Sequence, residues 1–313
     1  MDVSNELGEF LRTRRARITP EDVGLPRIGR RRVAGLRRDE LARLAGVSVE
    51  YYTRLEQGRS PNVSEHVLDA IGNALSLNET EQEHLRILVR PTRRARPSPR
   101  GAKVRPTVQL MLDQMDRLPA FVFGPTLDVL AWNRLSDAVS GFSADERPNL
   151  CRAVFLDPAA RDFYPQWACA AEDTVAVLRW MATRNPDAPG LATLIGELSL
   201  GSQAFRELWA RHDVREKTAG TKRMNHPIVG ELDVAYESFP VPGQAVDMVL
   251  VTYVPEPGSP TAEKLAVLAS WAASEGSAPE HEGPVAERGA VPRSADRVED
   301  RVRDVEEGAA DGG

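Results

Sequence analysis

The chain has 313 residues, 42% of them hydrophobic, and a formal net charge of -6. No run of about 18 apolar residues occurs, which excludes a helical membrane span, and the start MDVSNELGEF lacks a basic stretch followed by an apolar core, so a cytoplasmic protein is expected. The charge is segregated: residues 1–105 carry 21 Lys+Arg against 14 Asp+Glu, net +7, and the remainder is net -13, so contact with a polyanion is expected at the front of the chain alone.

In chain order, Leu7 to Ile18 reads as a short amphipathic helix with Leu7, Phe10, Leu11 and Ile18 on one side. Pro20, Gly24, Pro26 and Gly29 then forbid a continuous helix, leaving a basic loop in which Arg30, Arg31 and Arg32 either neutralise phosphates or stay solvated. From Leu36 to Arg59 two short amphipathic segments flank a break at Ala45-Gly46-Val47-Ser48. The first places Leu41, Leu44 and Ala45 on one face, with Arg38, Asp39 and Arg43 toward solvent. Gly46 supplies the left-handed turn, and Ser48 is placed to cap the second helix, with Glu50 at the positive end of its dipole. There Tyr52 and Leu55 face inward while Val49, Glu50, Thr53, Arg54 and Gln57 face outward. This is the outline of a helix-turn-helix whose second helix could enter a major groove; an ordinary helical hairpin shares the pattern. Ser64 is placed to cap a further helix carrying Val67, Leu68, Ile71 and Leu75, and Thr80 with Glu83 reads as a capping box ahead of Leu85, Ile87 and Leu88.

The run ELARLAGVS followed by YYTRLEQGR, then IGNALSL and ETEQEHL, resembles the Cro/lambda-repressor (XRE) class of DNA-binding domains. That resemblance implies an all-α five-helix domain whose second motif helix lies in the major groove. It puts Ser48 at a phosphate-touching position, Val49, Glu50 and Arg54 at base-reading positions, and Gln57 and Arg59 at phosphate contacts that end the helix. Arg38, Tyr51 and Thr53, with Arg30, Arg31 and Arg32, complete the expected DNA-contacting set. Glu50 departs from the amide common in phage repressors and would accept from a cytosine amino group.

Residues 90–105, RPTRRARPSPRGAKVRP through Pro106, are basic and proline-rich and mark a linker after a domain spanning 1–89. Beyond it, Val108 to Met115 reads as a helix, and Ala120 to Trp132 as a hairpin turning at Gly124-Pro125-Thr126. Trp167 to Met181 repeats at helical spacing, Leu191 to Leu198 forms another helix, and Ser202 begins a third through Phe205, Leu208 and Trp209. Ile228, Leu232, Val234 and Tyr236 alternate with acidic residues as a half-buried strand, and Val246 to Val254 reads as a central strand covered on both faces. A last helix follows Ser259-Pro260. Residues 106–273 thus form an α+β domain, an antiparallel sheet with packed helices, and 274–313 has the composition of a disordered tail.

Cys151 and Cys169, without CxxC or His-rich spacing, are expected to be free thiols. Arg211-His212-Asp213 and His226, with Lys222 and Glu231 nearby, are the residues most suggestive of chemistry. Read as metal ligands, His212, Asp213 and His226 would make a DNA-tethered metal-dependent enzyme; no HExxH or nucleophile elbow accompanies them, so no enzyme and no cofactor is expected. The segment WARHDV, then GTKRMNHPIVGELDVAYESF and LVTYVPEPGSPTAEKLAVLASWA, with LAWN at Leu130 to Asn133, is similar to the ligand-binding domain of MmyB-like transcription regulators. That similarity implies a PAS-like domain enclosing an apolar pocket for a small hydrophobic, fatty-acid-like ligand, with Trp132, Asn133, His212, Lys222 and His226 as candidates to line it. The partners implied are double-stranded DNA bearing a palindromic operator, that ligand, and a second copy of the chain. The alternative is a second domain that only dimerises or binds a protein partner.

Overall fold

The computed structural model describes residues 3–25, 33, 35–59, 63–90, 103–243 and 247–275. Arg30, Arg31 and Arg32, residues 91–102 of the linker and the tail from 276 lie outside the described residues.

Five helices come first: α1 (Val3–Arg17), α2 (Arg38–Leu44), α3 (Val49–Glu56), α4 (Glu65–Ala74) and α5 (Glu79–Val89). Polar side chains fix where three of them start. Ser48 accepts from the Tyr51 N–H at 3.1 Å, Ser64 from the Val67 N–H at 3.3 Å and Asn78 from the Glu81 N–H at 2.9 Å. Each cap contributes about 0.5–2 kcal/mol. At α5 the capping box is Asn78 with Glu81, whose carboxylate accepts from the Asn78 N–H at 3.1 Å, and not Thr80 with Glu83. Asn78 has the extended backbone a cap requires, whereas Thr80 is already inside the helix. Phe10, Leu11, Leu36, Leu41, Tyr52, Leu55 and Ile71 are completely buried where these helices meet. Leu44, expected inward, is 39% exposed, and Ala42 takes its place. At about 100° per residue the face of α2 that meets the core holds Leu41, Ala42 and Ala45, and Leu44 falls off its edge.

The second part contains α6 (Pro106–Asp113), β1 (Ala120–Phe123), β2 (Val129–Trp132), α7 (Arg134–Ser140), α8 (Leu150–Phe155), α9 (Ala160–Phe163), α10 (Trp167–Arg184), α11 (Leu191–Gly201), α12 (Gln203–Trp209), β3 (Ala219–His226), β4 (Gly230–Pro240), β5 (Val249–Val254) and α13 (Pro260–Glu275). The five strands form one antiparallel sheet in the order β2-β1-β5-β4-β3. β5 is central, as its apolar run implied, with Leu250, Val251, Thr252 and Tyr253 all buried. The pleat sends successive side chains to opposite faces. Val122 and Leu250 meet α6 through Val108 and Leu112 on one side, while Phe121, Phe123, Val251 and Tyr253 join the main core on the other. Two expectations change here. The strand expected from Ile228 to Tyr236 is β4, which begins at Gly230; Ile228 sits in the turn before it, 67% exposed, and the strand it is paired with, β3, is unanticipated. α7, unanticipated, is started by Asn133, whose side chain accepts from the Ser136 N–H at 2.8 Å.

Candidate nucleic-acid interface and ligand cavity

α3 is anchored from beneath and bare above. Tyr52, Leu55 and Glu56 are buried, whereas Val49, Glu50, Arg54, Gln57 and Arg59 are exposed and Tyr51 and Thr53 half-buried. The anchoring group is Glu56, unremarked in the sequence. Its carboxylate accepts from Arg15 Nε and Nη2 at 3.1 and 3.0 Å and from Arg38 Nε and Nη2 at 3.1 and 2.8 Å, tying α1, α2 and α3 together. Burial alone would raise the Glu56 pKa, but the two guanidiniums outweigh it and hold the carboxyl below the usual carboxylate range. Arg38 keeps nearly half of its side chain in solvent while serving this pair, so its remaining donors face outward beside α3. Gly46 and Gly58, at φ 64° and 67°, take the left-handed turns that bracket the helix at its two ends. The arrangement offers a row of one carboxylate, one apolar side chain and several cationic or amide donors to a duplex.

Behind the sheet lies a cavity of about 140 Å³, between the core-side face and the first half of α10. Phe121, Phe123, Val251 and Val177 supply apolar wall, and Tyr164, Tyr236 and Tyr253 bring phenol groups. Lys222 reaches in from β3: its Nζ is 3.5 Å from the Tyr253 hydroxyl and 4.8 Å above the Tyr164 ring. Burial works against this ammonium, while its neighbours Tyr164 and Tyr253 raise its pKa. The neighbouring cations are already matched, because Asp173 pairs with Arg215 and, at 2.7 Å, with Lys217. Among the described residues no carboxylate lies within 4.0 Å of Lys222 Nζ. Exposed Gln166, Cys169 and Thr221 mark the open side.

Residues 104–268 match the family described as MmyB-like transcription regulator ligand binding domain, and residues 6–85 match a helix-turn-helix domain. The chain belongs to the MmyB-like transcription regulators. No curated protein matches it. The chain joins a helix-turn-helix domain to a ligand-binding domain, and these imply DNA and a small molecule as the partners of this MmyB-like regulator.

Of the five residues expected at the regulator's pocket, Lys222 lines the cavity and the other four are placed elsewhere. Trp132 packs on Phe142 at 5.9 Å. Asn133 caps α7 and donates to the carbonyls of Met115 and Leu118 at 2.9 and 2.7 Å, which occupies its amide. His226 faces the Ala138 carbonyl at 2.9 Å through Nε2 and accepts from the Ile228 and Val229 N–H groups through Nδ1, pinning the β3–β4 turn. His212 lies against α1, its Nδ1 3.0 Å from Glu6 and 3.1 Å from Arg179. The two histidines therefore serve different places, and among the described residues no group of three or more His, Cys, Asp or Glu is disposed to hold a metal ion. Cys151 is buried and Cys169 exposed, both free. Tyr164, Tyr253 and Arg179 escaped the sequence reading because nothing local distinguishes them from core aromatics or surface cations.

Proposed function

We propose that this MmyB-like regulator is an XRE-type, sequence-specific DNA-binding protein. In this reading residues 1–89 bind the duplex, 90–105 link, and 106–273 form a PAS-like sensor of a small amphipathic anion such as a fatty acid. The observation that carries the ligand class is Lys222: an ammonium in an aromatic cavity with no carboxylate in ion-pair range. Lys222 is half-buried against aromatic walls, where a charge gains from a partner, and a carboxylate head at Nζ would pair it while the hydrocarbon lies along Phe121, Phe123 and Val251. On the DNA side Val49 suits a thymine methyl, Glu50 a cytosine amino group and Arg54 a guanine edge, with Ser48, Gln57, Arg59 and Arg38 on phosphates. A homodimer would present two α3 helices to palindromic half-sites about 34 Å apart. The ligand regulates through unequal affinity for two arrangements of the protein.

The test is selection of bound duplexes from a random library by the full chain, with and without dodecanoate, alongside direct titration of dodecanoate. One palindromic sequence family should be enriched, its recovery should change with dodecanoate, and Lys222→Met should weaken dodecanoate binding at least about tenfold, the loss of one charge-assisted contact. Failure to enrich any sequence overturns the DNA reading. Equal dodecanoate binding by Lys222→Met overturns the anion-head reading.

A further inference from the structure

α10 presents different faces to two different neighbours. Cys169, Ala170, Asp173, Thr174 and Val177 form one helical stripe along the cavity wall. Arg179, two residues beyond Val177, is completely buried and turned toward α1, where it pairs with Glu6 while its guanidinium stacks 3.9 Å over the Trp209 ring. His212 closes this contact from the loop after α12, in the left-handed region at φ 52°, and the residue after it, Asp213, accepts from Arg17 at 2.7 Å and from Arg14 at 3.4 Å. α1 is thus held by the second part of the chain through two ionic rungs.

On another flank α1 meets α3 with no slack. A Cβ added at Gly8 would stand 2.5 Å from the Glu56 carbonyl oxygen, so the two helices are in backbone contact there. Two turns further along the same face of α1, Arg15 grips the Glu56 carboxylate at 3.0 Å. We infer that α1 is the coupling element of the regulator: displacement of the cavity wall is passed from α10 to α1 directly through Arg179–Glu6 and, by way of the loop after α12 that Arg179 also touches, through Asp213–Arg14/Arg17, and from α1 to α3 through Gly8 and Arg15 against Glu56. Each joint is of a kind that moves as a body. A buried ion pair cannot stretch without leaving an uncompensated charge, and close-packed backbones have no void to absorb a shift. The inference rests on the sensor reading only for what fills the cavity; the transmission does not depend on the ligand's identity.

The experiment therefore crowds the cavity without a ligand. Val177→Trp puts an indole into the space behind the sheet, and amide hydrogen exchange across α3 is measured on the free full-length chain, together with affinity for a selected duplex. Crowding should change α3 exchange and shift duplex affinity at least about fivefold, the lower end of ordinary allosteric coupling. Adding Arg179→Met should bring that shift within about twofold, as a double-mutant cycle reads coupling. Should Arg179→Met fail to fold, Asp213→Asn carries the same test, because Asp213 is partly exposed and its substitution removes the ionic rung to Arg14 and Arg17. Unaltered α3 exchange in Val177→Trp, or a shift that survives the second substitution, overturns the proposal. Exchange is read without DNA or ligand, so failure to select a duplex or to bind dodecanoate would strike the functional reading and leave this measurement decisive.

Discussion

Replacing Glu56 by Gln should loosen the whole helix-turn-helix while leaving its shape available. The carboxylate side chain is 1% exposed and takes four charge-assisted hydrogen bonds from Arg15 and Arg38, whose side chains are 12% and 46% exposed. Removing one member of a buried pair costs about 3–5 kcal/mol. Arg38 can recover water, so its share is discounted to about 0–1 kcal/mol. Arg15 cannot, and its two bonds to a charged acceptor carry about 1.5–3 kcal/mol each. Bounded by the cost of breaking a buried pair, the expected loss is about 3–5 kcal/mol, a large part of a domain's whole stability. Urea denaturation followed by circular dichroism, with hydrogen exchange in α3, would measure it. The pH dependence supplies a second check. Glu56 is held below its unfolded pKa, so its contribution is complete above about pH 4.3 and is lost as pH falls toward the folded value. The gap between wild type and Glu56→Gln should therefore narrow below that pH. A loss under about 1 kcal/mol at pH 7, against the about 3–5 expected of a buried pair, or a gap that stays constant in acid, would refute the argument.

Gly8→Ala should destabilise by about 1–2 kcal/mol: overpacking against the Glu56 carbonyl costs about 1–3 kcal/mol and the better helix propensity of Ala returns only part. A thermal or urea midpoint equal to wild type would mean that α1 and α3 have room to part. His84 is completely buried against Phe10 with neither ring nitrogen hydrogen-bonded, and burial, reinforced by Arg14 and His212, pushes its pKa down to about 3. The unfolded chain therefore binds this proton first, and stability falls as pH drops from about 6.5. His84→Phe should match or exceed wild type at pH 7 and outlast it by about 2 kcal/mol more at pH 5; parallel curves for the two chains would contradict the assignment. On DNA, Arg54→Ala should cost about 1–3 kcal/mol and relax preference at one base pair, whereas Arg59→Ala should weaken every sequence alike and flatten the salt slope. Binding assays across salt on cognate and scrambled duplexes separate the two, and identical profiles would dissolve the distinction between base and phosphate contacts.

The legible parts of the chain are those whose signal is local. Ser48 and Ser64 cap the helices their positions announce, α10 shows its periodicity over 18 residues, and β5 is apolar at nearly every position. β3 was invisible for a physical reason. It is an edge strand paired only to β4, and AGTKRMNH needs just Met224 and His226 buried, so it carries no alternation to read. The capping box slipped by two residues because Asn78-x-x-Glu81 and Thr80-x-x-Glu83 fit the same pattern, and the preceding turn, with Ser76 at φ 50°, decides between them. The cavity was hidden more deeply. Tyr164, Lys222 and Tyr253 come from three separate elements, and His212, the most conspicuous residue by chemistry, is spent on the contact between α10 and α1. Glu56 looked like one more charge on a surface helix until Arg15, 41 positions earlier, was folded against it.

α3 is eight residues long, which is about 12 Å of helix axis, or roughly three to four base-pair steps of a duplex. Four fully specified steps distinguish only about 256 words, against the roughly million or more competing sites of a genome. A solitary copy would meet its word by chance every few hundred positions and be diluted among them. On the proposed reading by α3, the address has to be completed by something besides this helix, whether a second α3 or the bendability of the DNA between two words. The brevity of the reading element thus makes assembly on DNA a matter of information before it is one of affinity.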